Sequence, residues 1–340
     1  MQSFSRIDAL FRRAMLVTAA TTVMAFGATP AVAQDAFAVG LVPADATSLA
    51  PVLADAAGAF TKYRIKPQLV TIEGGSRGLQ VLLSGKIQVM QAGFSIGVNA
   101  NREGADVRMI TSSSNVMQMD IYANPSIKSP ADFKGGKLAI SAITSESDMA
   151  VSLALRKWNL TRKDVTVVPL GGASQRLAAQ LSGQVLAAPY VTPATAMAAQ
   201  KGLVKMLDLG NDGAPWVFNG MFVTRDFARA QPDLIKRFLK ANVEGIYKAI
   251  ADEKWAKQVI AKEFKTDSKV VIDDAYALLK QYFPRDFSPT PAALSNVINE
   301  VNSMGPALPS KNPSDYVDLQ FVEALKKEGF FDQMKKQYGI

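Results

Sequence analysis

Short apolar runs and longer stretches of helical spacing follow one another along the chain. The apolar runs predict buried strands at residues 37–42, 68–72, 137–140 and 165–170. Between the runs, apolar residues recur three and four positions apart, as Leu79, Leu82 and Leu83 do, which predicts helices with one buried face. Because strands alternate with helices, the pattern predicts an α/β fold with largely parallel sheets and helices on both faces.

Two stretches of this pattern resemble each other. They read GGSRGLQVLLSGKIQVMQAG from Gly74 and GGASQRLAAQLSGQVLAAPY from Gly171. In each copy a glycine pair follows a predicted strand, a helix runs to Leu-Ser-Gly, and a short apolar strand comes next. Gly85 and Gly183 stand where a helix end favours a left-handed residue. The repeat predicts two equivalent lobes. Ligands of such sheets bind at the carboxyl ends of the strands, so a cleft between the lobes is the expected site.

The length of the chain also favours two lobes, because a single hydrophobic core usually stops growing at about 250–300 residues. Two mostly apolar segments, residues 119–123 and 220–224, are the expected connections between the lobes. We predict lobe 1 over residues 34–121 and 222–340, including C-terminal helices, and lobe 2 over residues 122–221.

The N-terminus has the pattern of a secretory signal peptide. Three arginines precede an apolar stretch over residues 14–28, and Ala31 and Ala33 are the small residues that come before a cleavage site. We therefore expect residues 1–33 to be a signal peptide cut after Ala33, and the protein to lie in the periplasm.

Composition and spacing exclude several classes of chemistry. The chain has no Cys and no His, which removes disulfides, thiolate metal sites, Ser-His-Asp catalysis and the commonest transition-metal ligand. Gly74, Gly75 and Gly78 lack the Lys-Ser/Thr ending of a Walker loop and the spacing of a dinucleotide fingerprint. The formal charge is +8, but the basic runs are short and carry no interleaved aromatics, so nucleic-acid binding is not expected. No cofactor is expected.

Two further motifs give the chain a family resemblance. The sequence IKSPADFKGGK begins at Ile127, and the helix after the return crossing begins with TRDFARAQPD at Thr224. With the signal peptide and the two Gly-Gly units, these motifs resemble the nitrate/sulfonate/taurine-type solute-binding proteins of ABC importers over roughly residues 37–250. The resemblance implies a type II periplasmic-binding-protein fold, in which two doubly wound lobes joined by two crossing strands close on a small solute. It also implies an importer permease in the inner membrane as partner, and we expect a monomer.

The chain departs from the usual pattern of this family in two ways, and these departures limit which subfamilies it can resemble. Members of this family usually carry an Asp shortly after the Gly that closes each repeat helix, whereas this chain has Gln88 and Leu186 there. The nitrate binders and the pyrimidine-synthesising relatives use His, which this chain lacks, so neither subfamily fits it.

Four loops of the first lobe are expected to face the cleft. Their candidate ligand contacts are Thr47, Ser76, Arg77, Phe94, Ser95 and Asn115. Arg77 offers a bidentate fork for a carboxylate or a sulfonate, and Phe94 a ring for stacking. Structural alternatives stay open for these residues: helix capping for Thr47, a solvated helix position for Arg77, core packing for Phe94 and a turn for Asn115.

The second lobe contributes the candidate ligand contacts Thr144, Ser145, Tyr190, Thr192 and Trp216. Thr144 and Ser145 precede a helix expected to begin near Asp148, where hydroxyls and free N–H groups form the best predicted anion pocket. Capping alone is the alternative, and Glu146 weakens the pocket because it brings negative charge. Tyr190 is expected to meet the ligand, and Trp216 either closes an aromatic wall or packs between the lobes.

The leading hypothesis is a periplasmic solute-binding protein, not an enzyme, for a small organic anion with an apolar or aromatic body. Sulfonates and aromatic or aliphatic carboxylates fit that description. Two alternatives stay open. One is an enzyme on the same fold that acts on a small pyrimidine-like or carboxylate substrate, although no nucleophile is evident. The other is a sensory module that presents the bound solute to a membrane receptor.

Overall fold

A computed structural model describes residues 34–42 and 45–340. The expected signal peptide, residues 1–33, lies outside the described residues, as do Pro43 and Ala44. In chain order, strands β1 to β10 span Asp35–Leu41, Ile65–Thr71, Val89–Gly93, Val107–Ser112, Asp120–Ala123, Lys137–Ile140, Thr166–Pro169, Ala187–Tyr190, Val204–Asp208 and Asn219–Thr224.

In chain order, helices α1 to α14 span Leu49–Ala56, Ala59–Lys62, Gly75–Leu83, Phe94–Arg102, Glu146–Lys157, Ala173–Leu181, Ala194–Gln200, Arg225–Ala230, Pro232–Ala251, Glu253–Phe264, Lys269–Tyr282, Pro291–Ser303, Gln320–Lys327 and Phe330–Tyr338. Two predicted helices are interrupted. The apolar spacing over residues 49–60 predicts one helix, which breaks at Gly58 with its φ of 69°, and the spacing over residues 226–250 predicts another, which breaks before Pro232. Pro232 ends the preceding helix because its ring clashes with the carbonyl four residues earlier.

The strands form two five-stranded sheets with the same layout, β2-β1-β3-β10-β4 and β7-β6-β8-β5-β9. In each sheet the second strand in the layout pairs in parallel with the strands on both sides of it, as β1 does with β2 and β3 and β6 does with β7 and β8. One antiparallel strand completes the pattern, β10 in the first sheet and β5 in the second. The two equivalent α/β lobes predicted from the repeat are confirmed.

The chain crosses between the sheets earlier than expected. It leaves the first sheet after Ser112 and enters the second at Asp120, and it returns between Asp208 and Asn219. The two crossings pair with each other through an antiparallel bridge between Val116 and Pro215. The segments predicted as connections, residues 119–123 and 220–224, instead supply the antiparallel strands β5 and β10. They are apolar because both faces of a strand inside a sheet are buried, which made them resemble interlobe connections.

Buried apolar side chains form a core inside the first lobe and a second core that extends across both lobes. The first joins β1 and α1 to the C-terminal helices, with Phe238 of α9 at its centre. The second contains side chains of both sheets, among them Phe94, Met109, Ile121, Leu138 and Met149. The lobes are therefore packed against each other. Among residues 34–42 and 45–340, no helix combines the length and hydropathy that a membrane span requires.

Candidate ligand-binding site

The two lobes meet where the N-terminus of α4 faces the N-terminus of α5. Glu146, in the first turn of α5, places its Oε1 2.8 Å from the backbone nitrogen of Ser95 in α4. Its Oε2 accepts a hydrogen bond of 2.9 Å from Trp216 Nε1. A Cβ on Gly93 would lie 2.3 Å from Cγ of Glu146, so the missing side chain at Gly93 makes room for the carboxyl group. A carboxyl group of the second lobe thus satisfies a free N–H at the start of a first-lobe helix.

Burial controls the protonation of this carboxyl group. Glu146 is 5% exposed, and burial raises its pKa to about 7, although the hydrogen bonds from Ser95 and Trp216 act in the opposite direction. Its charge therefore changes near neutral pH at a contact between the lobes.

A second bond joins the same two helix ends. The Ser95 hydroxyl donates to the carbonyl of Thr144 at 2.9 Å. Thr144 has a φ of 61°, a left-handed conformation that costs a non-glycine residue on the order of 1–3 kcal/mol. Such strain persists only where the surroundings fix it, and here the Thr144 nitrogen also donates to Asp148 Oδ2 at 2.8 Å.

The anion pocket predicted at the start of α5 is filled by the protein's own groups. Ser145 is the N-cap and accepts a hydrogen bond from the backbone nitrogen of Asp148. Asp148 is fully buried and pairs with Arg162 at 2.7 Å. The Ser145 hydroxyl also bonds the hydroxyls of Ser141 and Ser147, each at 2.9 Å. Ser145 therefore fills the capping role that was the alternative to an anion pocket, and these side chains satisfy polar groups that could hold an anion; anion binding here stays a prediction.

Thr192 makes another contact between the lobes. Its carbonyl accepts a hydrogen bond of 3.3 Å from the backbone nitrogen of Ala46 in the first lobe. Its hydroxyl donates to Asp274 of α11 and lies 3.0 Å from the hydroxyl of Thr195. The carboxyl end of β8 therefore faces the first lobe, as expected for the cleft edge of a parallel sheet.

One guanidinium is buried at this edge of the second lobe. Arg176 of α6 is 5% exposed and donates to the carbonyls of Gly171, at 2.7 Å, and Pro189, at 3.2 Å. Its Nε is buried without a partner among the described residues, and its Cζ lies 5.7 Å from the centre of the Tyr190 ring. Burial lowers its pKa to about 10, so Arg176 stays charged at neutral pH.

The partners of Arg176 are carbonyl groups, and no carboxylate among the described residues forms a salt bridge with it. A buried charge without a counter-ion destabilises the protein, because the loss of hydration is not offset by an ion pair. An anion at this edge of the sheet would supply the missing charge and a partner for the free Nε.

In the first lobe, polar side chains at the carboxyl ends of β1 and β3 bind one another. The Thr47 hydroxyl donates to Asp45 at 2.6 Å and accepts hydrogen bonds from Asn219, at 2.7 Å, and Gln91, at 3.3 Å. The Ser48 hydroxyl donates to Gln91. Burial raises the pKa of Asp45. Thr47 is buried in this network, and Asp45 rather than Thr47 caps the short helix at residues 46–48, because its carboxylate accepts a hydrogen bond from the Thr47 nitrogen.

The predicted site residues therefore fall into two groups. Ser76 and Arg77 lie exposed in the first turn of α3, and Thr144 and Asn115 are half-buried, so these four have surface that a solute can reach. The other seven are buried. The ring of Phe94 lies in the core that spans both lobes, which is the core-packing alternative, and ligand stacking by Phe94 stays a prediction.

Three more of the predicted residues have partners inside the protein. The amide of Asn115 binds the carbonyl of Ser288, at 3.0 Å, and the nitrogen of Thr290, at 2.9 Å, so it ties a crossing to the C-terminal helices. Tyr190 is fully buried, with its hydroxyl on Gln180 at 2.9 Å. Trp216, 2% exposed, packs between the lobes and binds Glu146, which was the alternative to an aromatic wall.

Sequence reasoning missed the groups that carry charge at the boundary. Arg176 and Gln180 lie four residues apart on the buried face of α6 beside Leu177, and this spacing was the available signal. The bond from Glu146 to the other lobe had no such signal, because it depends on how the two lobes pack.

Residues 46–256 match the model of a family described as NMT1/THI5 like. The chain belongs to this family. The NMT1/THI5-like chain is similar to the taurine-binding periplasmic protein of Escherichia coli (strain K12), with 25% identity over 248 residues that cover 71% of this chain and 73% of that protein.

Solved structures share the fold of this NMT1/THI5-like protein. The ligand-binding component of an ABC-type import system from Staphylococcus aureus, with zinc bound, has a TM-score of 0.72 at 14% identity and covers 85% of this chain and 98% of that chain. The periplasmic aliphatic sulphonate-binding protein SsuA from Escherichia coli has a TM-score of 0.65 at 21% identity and covers 84% of this chain and 96% of that chain. These likenesses confirm the two-lobed periplasmic-binding-protein fold and the resemblance read from the sequence.

The two departures from the family pattern have structural roles. Gln88 accepts a hydrogen bond of 2.8 Å from the Ala38 nitrogen and donates one of 3.0 Å to the Gly85 carbonyl, so it ties β1 to the end of α3. Leu186 packs against Gly136, where an added Cβ would lie 2.2 Å from Leu186 Cδ1. Neither side chain carries charge.

Proposed function

We propose that this NMT1/THI5-like protein is the periplasmic solute-binding component of an ABC importer and that it binds a small organic anion. The family, the fold and the names of its relatives support the transport role: a taurine-binding periplasmic protein, an aliphatic sulphonate-binding protein and an import-system component. The anion is a sulfonate or a carboxylate with an apolar or aromatic body. Export through a signal peptide over residues 1–33 and delivery to a membrane permease follow from the same role.

The negative charge proposed for the solute is inferred from Arg176. It is a buried, protonated guanidinium with carbonyl partners and a free Nε, at the edge of the second sheet that faces the first lobe. Carboxylates and sulfonates accept hydrogen bonds from a guanidinium in a planar, paired geometry. A bound anion removes the uncompensated charge, so binding and closure of the lobes favour each other.

The other parts of the proposed site are inferred from the boundary between the two lobes. Ser76, Arg77 and Thr144 have reachable surface and complete the proposed contacts, while the paired crossings, residues 113–119 and 209–218, form the proposed hinge between the lobes. Phe94 and Trp216 are buried and pack where the lobes meet, and their contact with the solute stays a prediction.

A binding screen tests the proposal. Thermal unfolding is followed with taurine, linear alkanesulfonates, benzoate and hexanoate, and with uncharged amides of the same bodies. A cognate anion at 100 times its dissociation constant stabilises the protein by about 2.7 kcal/mol, whereas the matched amide does not. Calorimetry then gives the affinity in the parent and in Arg176→Met. Equal binding of the acids and the amides, or an unchanged affinity in Arg176→Met, would show that the charge assignment is wrong.

One observation favours the enzyme alternative, and it can be tested directly. Glu146 has a pKa of about 7, which suits a general acid or base. Both of its oxygens accept hydrogen bonds within the protein, from Ser95 and Trp216, so in this closed arrangement neither is free for a substrate. We therefore retain binding without turnover as the proposal. Recovery of an unaltered solute after prolonged incubation supports it, and a chemically changed solute would contradict it.

A further inference from the structure

A cavity of about 160 Å³ lies beside the cleft, between the second sheet and α11. Its walls come from both parts of the molecule. Asp120, Lys205 and Asp208 belong to β5 and β9 of the second sheet, and Asp274 and Tyr282 belong to α11. Because a water molecule occupies about 30 Å³ in the liquid, the cavity has room for roughly five waters or for one small organic molecule.

The ionisable groups of the cavity have an excess of negative charge. The Nζ atom of Lys205 lies 2.8 Å from Asp120 and 3.2 Å from Asp208, so one ammonium serves two carboxylates. Asp274 accepts a hydrogen bond from Thr192 and forms no salt bridge with any residue that the structure describes. Burial raises the pKa of Asp120 to about 6, even though Lys205 acts in the opposite direction. Three carboxylates therefore face one cation.

The side chain of Gln118 lines the same cavity. Gln118, on the crossing into the second lobe, is 8% exposed. Within residues 34–42 and 45–340 its side chain forms no hydrogen bond, and its amide atoms are not among the side-chain atoms that are buried without a partner. The amide therefore reaches the cavity space, and its carbonyl oxygen is an acceptor that fits an N–H donor from a ligand.

The other lining groups favour an organic cation over a metal ion. Tyr282 brings an aromatic ring to the cavity, and cations are attracted to the faces of such rings. In the described part of the chain the acidic side chains form no group with the geometry of a metal site. We propose that this cavity binds a small organic cation, an ammonium or guanidinium compound, at a site separate from the anion site beside Arg176.

This cation site bridges the lobe boundary. The Asp120 and Asp208 carboxylates move with the second sheet, and Asp274 lies on a helix that packs with the first lobe. A cation held between them stabilises the closed arrangement, so it raises the affinity for the anion, and the anion raises the affinity for the cation by the same factor. The cation is thus an effector of solute capture.

Calorimetric titration of the full chain with ethanolamine, propylammonium and guanidinium, against sodium at equal ionic strength, tests the proposal. We expect saturable binding by at least one of the three, weakened at least tenfold in Asp274→Asn and in Gln118→Leu. Asp274 is exposed, so its substitution leaves folding intact. Asp267→Asn, an equal charge change at an exposed residue outside the cavity, serves as the control and binds like the parent.

Three outcomes would overturn the proposal: no saturable binding of any probe, an affinity unchanged in Asp274→Asn, or an equal loss of affinity in Arg176→Gln. The last would place the cation in the cleft itself. Because no anion is present in these titrations, a failure here leaves the proposed anion function untouched. Conversely, a protein that binds no anion would still show the cation site.

Discussion

The helices α3 and α6 occupy the same place in the two lobes, yet they fill that place with different chemistry. Each is nine residues long and ends at Ser-Gly with the glycine in the left-handed region. Counted back from these ends, Gly78 in the first lobe corresponds to Arg176 in the second. A Cβ at Gly78 would lie 2.1 Å from Met90 Cε, so a methionine fills the space that Arg176 fills in the other lobe.

The next turn of the two helices shows the same difference. Leu82 is buried among apolar side chains, whereas its counterpart Gln180 is buried with its amide on the Tyr122 carbonyl and its oxygen on the Tyr190 hydroxyl. One backbone plan thus supports an apolar interior in the first lobe and a polar, charged interior in the second. This difference agrees with the proposed function, in which Arg176 of the second lobe binds the anion.

The largest expected effect concerns Glu146, which joins the lobes. Its pKa is about 7 in the folded protein against 4.5 for an unperturbed Glu, a difference worth up to about 3 kcal/mol. The folded protein binds this proton more tightly than the unfolded chain does. The stability it contributes is therefore complete below about pH 4.5 and lost as the pH rises through about 7.

Urea unfolding of the parent and of Glu146→Gln between pH 4.5 and pH 8 measures this effect. The chain has no His, so few other groups titrate in that window, and Asp120, with a pKa of about 6, is common to both proteins. The difference in unfolding free energy between the two proteins should change by up to about 3 kcal/mol across the window. A difference that stays constant with pH would mean that Glu146 is not held in this environment.

The second-largest expected effect concerns Arg176, whose counterpart in the first lobe is Gly78. Replacing Arg176 by Met should weaken binding of the anionic solute by about 1.5–3 kcal/mol, the worth of a hydrogen bond to a charged group, or roughly 10- to 150-fold in Kd. Calorimetry gives the affinities, and far-UV circular dichroism checks that the variant is folded. If the variant binds as tightly as the parent, the polar interior of the second lobe has no part in recognition.

A smaller effect is expected at the Tyr190 hydroxyl. Tyr190→Phe leaves the buried oxygen of Gln180 without its donor and should lower the unfolding free energy by about 1 kcal/mol. The matched control is Tyr122→Phe. That ring lies 6.3 Å from Tyr190, and its hydroxyl has no hydrogen-bond partner in the part of the chain that the structure describes. If the unfolding free energy falls equally in both variants, the loss comes from packing and not from the hydrogen bond between Tyr190 and Gln180.

The smallest effect is expected at Arg77, the arginine that the sequence favoured. It is exposed in α3, so water screens its proposed contact with the solute, and Arg77→Met should change the anion affinity by less than about 0.5 kcal/mol. The same calorimetric titration measures it beside Arg176→Met. If Arg77→Met weakens anion binding as much as Arg176→Met does, the charged contact with the solute lies in the first lobe.

The repeat made the fold predictable from the sequence, because the glycine pair, the helix and the Leu-Ser-Gly ending are local features with local causes. Lys137–Ile140 was predicted to the residue for the same reason. The site was harder to predict, since its contacts join residues far apart in the chain: Ser95 binds Glu146, and Ala46 binds Thr192. The predicted ligand contacts were mainly hydroxyls and aromatic residues near strand ends, whereas the charge on which the proposed function rests is that of Arg176, inside a helix.

The shared strand order of the two sheets has a consequence for the order of folding. The second sheet is built from one continuous stretch, from β5 to β9, whereas the first sheet places β10 between β3 and β4. The first sheet therefore cannot be completed until the chain has passed through the whole second lobe. Long-range pairing of this kind is slow because a large loop must close first. The second lobe should protect its backbone amides earlier in refolding, so the recognition surface forms before the lobe that closes on it.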